Sequence, residues 1–105
     1  MAFLDISKTE TLNKRPGWRG KLFHSTNNTF VWWEFDKDAD IHRHHHEQEE
    51  VWHIIEGQLD VTIAGKMQRC GPGAVAIIPP NTPHSVQVIE AGRAIVVDHP
   101  LREGF

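Results

Sequence analysis

The sequence predicts an all-β chain that folds as a closed or two-sheet antiparallel structure. Short runs rich in β-branched and aromatic residues recur along the 105 residues, and glycine, proline or asparagine turns separate them. No stretch of convincing length has the helical period. Short strands with this punctuation are typical of β-sandwiches and barrels, and the length fits one domain, 1–105, with a single core.

The first half of the chain predicts three strands, over residues 19–25, 29–35 and 39–46. Asn27 and Asn28 form the turn between the first two, because asparagine adopts turn conformations readily. The segment 29–35 contains only one charged residue and four aromatic or valine side chains in a row. A turn at Lys37 and Asp38 leads into the third strand.

The second half predicts six short strands, over residues 50–56, 58–64, 67–70, 74–78, 85–89 and 94–97. Gly57 separates the first two of these, and a turn at Gly65 and Lys66 leads into the third. The apolar segment 74–78 ends at Pro79. The last two strands are expected to pair as a hairpin through the intervening residues 90–93.

Three histidines and one glutamate make up the strongest functional signal in the chain. Alternate side chains share one face of an extended strand, so His44 and His46 can reach one ion, and Glu50 keeps their parity. His84 follows a proline-rich turn that would fix its direction. Imidazole and carboxylate ligands suit Fe, Mn, Ni, Co, Cu or Zn. The sequence therefore predicts one divalent transition metal ion held by these four residues, with its identity open.

Apolar side chains continue the face that carries the predicted metal ligands. Trp52 and Ile54 share the parity of Glu50, and Val86 and Val88 share the parity of His84. These four residues are predicted to form the wall of a substrate pocket.

Candidates for acid–base chemistry are few, because the chain contains no tyrosine. Glu50 and His42 are the predicted catalytic residues, since His42 has the same parity as the ligands. Two simpler interpretations remain open. The tract 41–50 could be a solvated, metal-sticky surface segment, and His42 a solvated residue at the strand entrance.

Two segments resemble the motifs of the cupin superfamily. His44, His46, Glu50 and Gly57 fall on the first motif, around 38–57. Gly73, Pro79 and His84 fall on the second, around 73–88. Asp38 and Asn81 stand where the family has turn glycines, and both residue types tolerate left-handed conformations. Val88 stands where the family has asparagine.

This resemblance implies a double-stranded β-helix, or jelly-roll, barrel with the ion near one mouth. A weaker likeness, carried by the tail 97–105 and by Ile55-Glu56-Gly57, is to small cupins of the pectin-degradation type that linearise unsaturated uronates. Those proteins often have glutamine at the position of Glu50.

Three functional hypotheses follow. The first is a small metalloenzyme acting on an oxygenated organic acid, sugar acid or carbonyl compound by isomerisation, ring opening or lyase chemistry. The second is an oxygen-activating dioxygenase of the flavonol-cleaving type, which a three-histidine, one-glutamate site also resembles. The third is a non-catalytic module that binds a metabolite.

Composition and charge limit the kinds of molecule that the protein is expected to bind. The net charge of −3 and the absence of a basic stripe disfavour nucleic-acid binding, so a small molecule is expected. No apolar run approaches the ~20 residues of a membrane span. The single cysteine, Cys70, and an amino terminus without a signal core favour the cytoplasm. The apolar strand 29–35 needs cover on both faces, which predicts a homodimer with residues 3–6 lying across the partner.

Overall fold

The computed structural model describes residues 3–104, so Met1, Ala2 and Phe105 of the predicted domain lie outside the described part. A three-residue 3-10 helix, Ile6–Lys8, precedes the strands. The strands are β1 (Thr11–Arg15), β2 (Trp18–His24), β3 (Thr29–Phe35), β4 (Asp40–His44), β5 (Glu49–Ile63), β6 (Lys66–Cys70), β7 (Val75–Ile78) and β8 (His84–His99). Among the described residues, no helix is long and apolar enough to cross a membrane.

Two long strands organise the fold. β5 has 15 residues and β8 has 16, and they pair antiparallel from Glu49 opposite His99 to Ile63 opposite His84. Their register shifts between Ile54 and Leu59, where both strands bend. Gly57 has φ of +86° there, and a Cβ on Gly92 would collide with the backbone oxygen of Glu56. Glycine at these positions therefore lets two paired strands turn a corner together.

The bend divides the strands into two layers. The first half of β5 and the second half of β8 belong to one layer, in the order β1-β2-β3-β8-β5-β7. Their other halves form the second layer, in the order β4-β8-β5-β6. This antiparallel arrangement confirms the predicted all-β, jelly-roll fold.

The bend also explains two wrong strand predictions. The predicted strands 50–56 and 58–64 fall on one strand, β5, which ends at Ile63. Residues 85–89 and 94–97 belong to one strand, β8, and do not pair with each other as a hairpin. A glycine that bends a strand and a glycine that ends one look alike in sequence. β1 was not predicted, because Thr11–Arg15 is a short, polar edge strand without a buried face.

The turns at the substituted motif positions behave as expected. Asp38 has φ of 69° and Asn81 has φ of 57°, so both adopt the left-handed conformation that glycine would otherwise supply. Val88 is fully buried, and its backbone amide donates to the Ala39 carbonyl oxygen at 2.8 Å. A valine at the family's asparagine position thus extends the apolar core.

The core between the layers is rich in tryptophan. Trp18 contacts Trp33, Phe35 and Trp52, with ring centroids 5.5, 5.5 and 6.1 Å away. The Trp18 indole N–H also donates to the Asp40 carbonyl oxygen at 3.1 Å. Trp32, in contrast, points outward and is 42% exposed. The aromatic cluster forms the floor beneath the predicted metal ligands, because Trp52 directly follows Glu50 on the inward face of β5.

Candidate metal centre

Strand pairing brings the four predicted metal ligands together. His44 ends β4 and lies opposite His84, the first residue of β8. His46 follows β4, and Glu50 lies near the start of β5. The amide of Asn81 donates to the His46 carbonyl oxygen at 2.8 Å, which ties the turn before His84 to the segment that carries His46.

The ligand atoms converge on one point. The His44, His46 and His84 rings have centroid separations between 4.3 and 5.6 Å, and one nitrogen from each lies within 4.8 Å of the others. Glu50 completes the group. Its Oε1 lies 3.2 Å from His46 Nε2, and its Oε2 lies 3.5 Å from His84 Nε2.

Backbone carbonyl groups orient all three imidazole rings. The Nδ1 atoms of His44, His46 and His84 lie 2.9, 3.1 and 2.8 Å from the carbonyl oxygens of His42, Gln48 and Thr82. A carbonyl oxygen only accepts, so each Nδ1 carries a proton, and Nε2 is the atom of each ring that can offer a lone pair to a metal ion. This is the way proteins orient histidine ligands towards a metal ion.

The remaining nitrogens fit a cation. Within the described chain, Nε2 of His46 and Nε2 of His84 are buried and have no hydrogen-bond partner. Buried polar atoms without partners are rare in folded proteins. Because these nitrogens face a carboxylate at 3.2 and 3.5 Å, positive charge is needed between them, either as protons on the rings or as a bound cation. The donor set of three imidazoles and one carboxylate therefore fits a single divalent transition metal ion.

The electrostatics of Glu50 agree with such a site. Burial opposes its ionisation, but contacts with His46, His84, Asp98 and Trp52 outweigh burial and hold its pKa well below the usual range. Burial lowers the pKa of His44. At His84 burial acts in the same direction, but the contact with Glu50 outweighs it and raises the pKa. The carboxylate is thus ionised and attracts positive charge into the site.

Three residues behind the ligands support Glu50. The Trp52 indole N–H donates to Glu50 Oε2 at 2.7 Å. Arg102 Nη1 lies 3.4 Å from Glu50 Oε1 and 3.5 Å from Asp98 Oδ2. Asp98 is only 1% exposed, and burial together with the Glu50 charge raises its pKa to about 8. His46, Glu50 and Asp98 also lie close enough to form a second group of possible ligand atoms.

Sequence reasoning missed Asp98 and Arg102. Asp98 continues the inward parity of Ala94 and Val96 along β8, and an acid on a buried apolar face is a signal of function. Arg102 lies in the carboxyl-terminal tail, and no pattern in the sequence places it near Glu50.

A cavity of about 110 Å³ opens beside the ligands. Trp52 and Val86, two of the predicted wall residues, line it, whereas Ile54 and Val88 are fully buried in the core and are not among its lining residues. His42 is exposed, and its ring centroid lies 6.0 Å from that of His44. Its catalytic role stays a prediction. His45, of opposite parity, is exposed as well.

Comparison with known proteins gives one family and several similar structures. Residues 31–100 match the family model described as "Cupin domain". Among curated proteins, none matches the chain. An RmlC-like cupin from Shewanella frigidimarina is 24% identical, with a TM-score of 0.91 over 98% of this chain and 94% of the other. KdgF from Halomonas sp. is also 24% identical, with a TM-score of 0.90 over 98% and 96%.

A larger protein shares the same architecture. One structure of Bacillus subtilis oxalate decarboxylase, which has Mn(II) centres, is 23% identical with a TM-score of 0.84. The alignment covers 92% of this chain but 29% of the decarboxylase. At these identities, the structural similarities establish the fold alone.

Proposed function

The chain belongs to the cupin domain family, and from this premise we propose that it is a small mononuclear metalloenzyme that acts on an oxygenated organic acid, sugar acid or related carbonyl compound. The observation that carries the proposal is the set of three oriented imidazoles around an ionised, buried Glu50 at the edge of a cavity. The reaction class we favour is isomerisation, ring opening or lyase chemistry. The resemblance of the tail 97–105 and of Ile55-Glu56-Gly57 to uronate-linearising cupins supports a sugar acid.

The protein supplies positioning, charge and shape. Bound to His44, His46, Glu50 and His84, a divalent ion would act as a Lewis acid on a carbonyl or enediolate oxygen. Trp52 holds the Glu50 carboxylate in place through its 2.7 Å hydrogen bond. Trp33, Val86 and Val96 give the cavity apolar walls. Glu50 or His42 would move the proton.

The metal centre is tested first by elemental analysis of untagged protein. We expect about one transition metal per chain in the parent and loss of that metal in His84→Ala, because His84 is a buried ligand. The matched control is His45→Ala, which removes an exposed histidine from the same tract and should retain the metal. Equal loss of metal in both variants would favour the surface-tract interpretation and contradict the proposal.

The reaction is tested with the metal-loaded protein on sugar acids, hydroxy acids and keto acids, under air and under nitrogen. Turnover that is equal in both atmospheres supports isomerase or lyase chemistry. Turnover that consumes oxygen identifies the dioxygenase alternative. Binding that Glu50→Ala weakens, with no turnover of any compound in either atmosphere, would identify a metabolite-binding module instead.

A homodimer is part of the proposal. On the outer face of the first layer, one row of paired residues crosses four neighbouring strands. It consists of Trp32, Ile95, His53 and Val75. A second row joins Phe23, Phe30, Val97, Val51 and Ile77. Such a broad apolar sheet face is typical of a subunit interface.

The exposed amino-terminal segment fits the same assembly. Phe3 is 86% exposed and Leu4 is 60% exposed, which leaves them available to lie across a partner. Light scattering should give twice the chain mass, and Trp32→Glu on the outer face should shift the mass towards that of a monomer. A monomeric parent would contradict this part of the proposal.

A further inference from the structure

Three cationic residues line the cavity beside the candidate metal centre. They are Lys14 and Arg15 of β1 and Arg102 of the carboxyl-terminal tail, whereas Glu50 is the acidic residue among those lining it. The chain as a whole has 14 acidic and 11 basic residues and a net charge of −3. The cavity is therefore electropositive in an acidic protein, which is the arrangement that attracts an anionic ligand.

Lys14 and Arg15 differ in their ion pairing from four arginines of this protein, each of which contacts a carboxylate. Arg19, Arg69 and Arg93 pair with Asp36, Asp60 and Glu56 at 2.8–3.1 Å, and Arg102 contacts Glu50 and Asp98. Within residues 3–104, neither Lys14 nor Arg15 has an ion pair or a side-chain hydrogen bond. Arg15 is half-buried, and none of the described carboxylates pairs with it.

The β1–β2 hairpin holds these two cations at the cavity. Arg15 lies opposite Trp18, which is buried in the core, and the register of β1 shifts between Leu12 and Arg15. At the hairpin turn, Gly17 accepts a hydrogen bond from the Asp36 amide at 2.9 Å and packs so closely on Ala39 that a Cβ would lie 2.6 Å away. Arg15 is thus attached to a fixed part of the fold.

The cations lie outside the part of the chain that defines its family. The cupin match covers residues 31–100, whereas the hairpin covers residues 11–24. The metal ligands are inside the match. The alignments with the RmlC-like cupin and KdgF cover 98% of the chain, so the hairpin itself belongs to the shared fold. Its side chains, Lys14 and Arg15, are what can select among the ligands that the metal centre could accept.

We propose that Lys14 and Arg15 bind a carboxylate of the substrate, so that the natural ligand is an organic acid with one carboxylate beyond the oxygen atoms that face the metal centre. The inference rests on the proposed function. The cavity volume of about 110 Å³ equals that of about four water molecules at ~30 Å³ each. A ligand of a few carbon atoms with its reacting oxygens beside His84 therefore spans much of the cavity, whose lining includes Lys14 and Arg15. Arginine binds carboxylates through two parallel hydrogen bonds, which adds selectivity to the charge.

The test compares two hydroxy acids of similar size by calorimetry on the Mn(II)-loaded protein. Malate and 2-hydroxybutyrate share the hydroxycarboxylate that can reach the metal centre, but malate has a second carboxylate where 2-hydroxybutyrate has a methyl group. We expect malate to bind at least about tenfold tighter, the size of one good charge-assisted contact. In Lys14→Gln/Arg15→Gln this preference should fall to about twofold or less, and 2-hydroxybutyrate, which has one carboxylate, should lose less affinity than malate, which has two.

Two controls separate this result from general effects. Lys8→Gln/Lys66→Gln changes the net charge equally at exposed positions away from the cavity, so it should keep the malate preference. Arg15→Lys should keep part of it, because the charge remains but the paired hydrogen bonds do not. Thermal unfolding of each variant checks that the fold is intact.

The outcomes also separate the inference from the proposed function. If the protein holds none of the divalent transition metals after reconstitution, the metalloenzyme proposal fails, and the same two ligands are compared on the metal-free protein. The inference is overturned if the parent shows no malate preference, if Lys14→Gln/Arg15→Gln keeps it, or if the distant double variant loses it equally.

Discussion

The hydrogen bond between Trp52 and Glu50 gives the sharpest test of the buried site, through Trp52→Phe. The substitution keeps an aromatic ring in the core but removes the indole N–H that donates to Glu50 Oε2 at 2.7 Å. Trp18→Phe is a matched comparison. Both tryptophans are at most 2% exposed, but the Trp18 N–H donates to a neutral carbonyl oxygen at 3.1 Å.

The expected losses in the free energy of unfolding depend on the cavity that each substitution leaves and on the group that accepts the lost hydrogen bond. Each substitution leaves a cavity of roughly 40 Å³, which costs about 1 kcal/mol at ~24 cal/mol per Å³. Trp18→Phe also loses a neutral hydrogen bond, worth about 0.5–1.5 kcal/mol, and Trp52→Phe loses one to a carboxylate, worth about 1.5–3 kcal/mol. We expect losses of about 1.5–2.5 and 2.5–4 kcal/mol in the free energy of unfolding of the metal-free protein.

Urea denaturation of both variants, with and without metal and at one protein concentration, checks these values. A bound cation neutralises part of the Glu50 charge, so the difference between the variants should shrink in the metal-loaded protein. If Trp18→Phe costs as much as Trp52→Phe without metal, the carboxylate at Glu50 is not the ionised, desolvated acceptor that the structure indicates, and the reasoning fails.

Three further outcomes are expected. Gly20→Ala should destabilise the protein by about 1–3 kcal/mol in urea, because the new Cβ would lie 2.6 Å from the Trp33 ring, whereas Gly71→Ala meets atoms no closer than 3.8 Å and should stay within about 0.5 kcal/mol. A saturating metal, at about 1,000 times its dissociation constant, should add about 4 kcal/mol to the free energy of unfolding in the parent and little in His84→Ala. Dialysis at about pH 5 should remove the metal that the protein keeps at about pH 7, since protons displace metal from imidazole; elemental analysis checks this.

Much of the fold and of the candidate site could be predicted from local patterns. Strand parity placed His44, His46 and Glu50 on one face, and the proline-rich turn placed His84 at a strand entrance, as the structure has them. Parity predicts which face a side chain is on because side chains alternate between the two faces of a strand. A short loop preserves this alternation when it contains the right number of residues. It also placed Trp52 and Val86 at the cavity.

The errors arose where one residue type has two structural uses. Gly57 and Gly92 bend paired strands, but a glycine between two apolar runs also fits a strand end. Ile54 and Val88 share the parity of the ligands but are buried in the core and do not line the cavity. Parity predicts which face of a strand a side chain is on, but not how far it lies from the cavity. Arg102 reaches Glu50 from 52 residues away, a contact that only tertiary structure creates.

The surroundings of Glu50 show how charge is distributed in the metal-free protein. Glu50 and Asp98 are both buried, and they share one guanidinium, that of Arg102. Two buried carboxylates with one cation are poorly balanced, and the raised pKa of Asp98 reflects this, since a neutral Asp98 relieves the repulsion. A divalent ion at the imidazole nitrogens would supply the missing positive charge next to Glu50. The Arg102 guanidinium could then balance the charge of Asp98. The predicted metal ion therefore explains why the protein can bury Asp98 beside Glu50, although the sequence analysis did not identify Asp98.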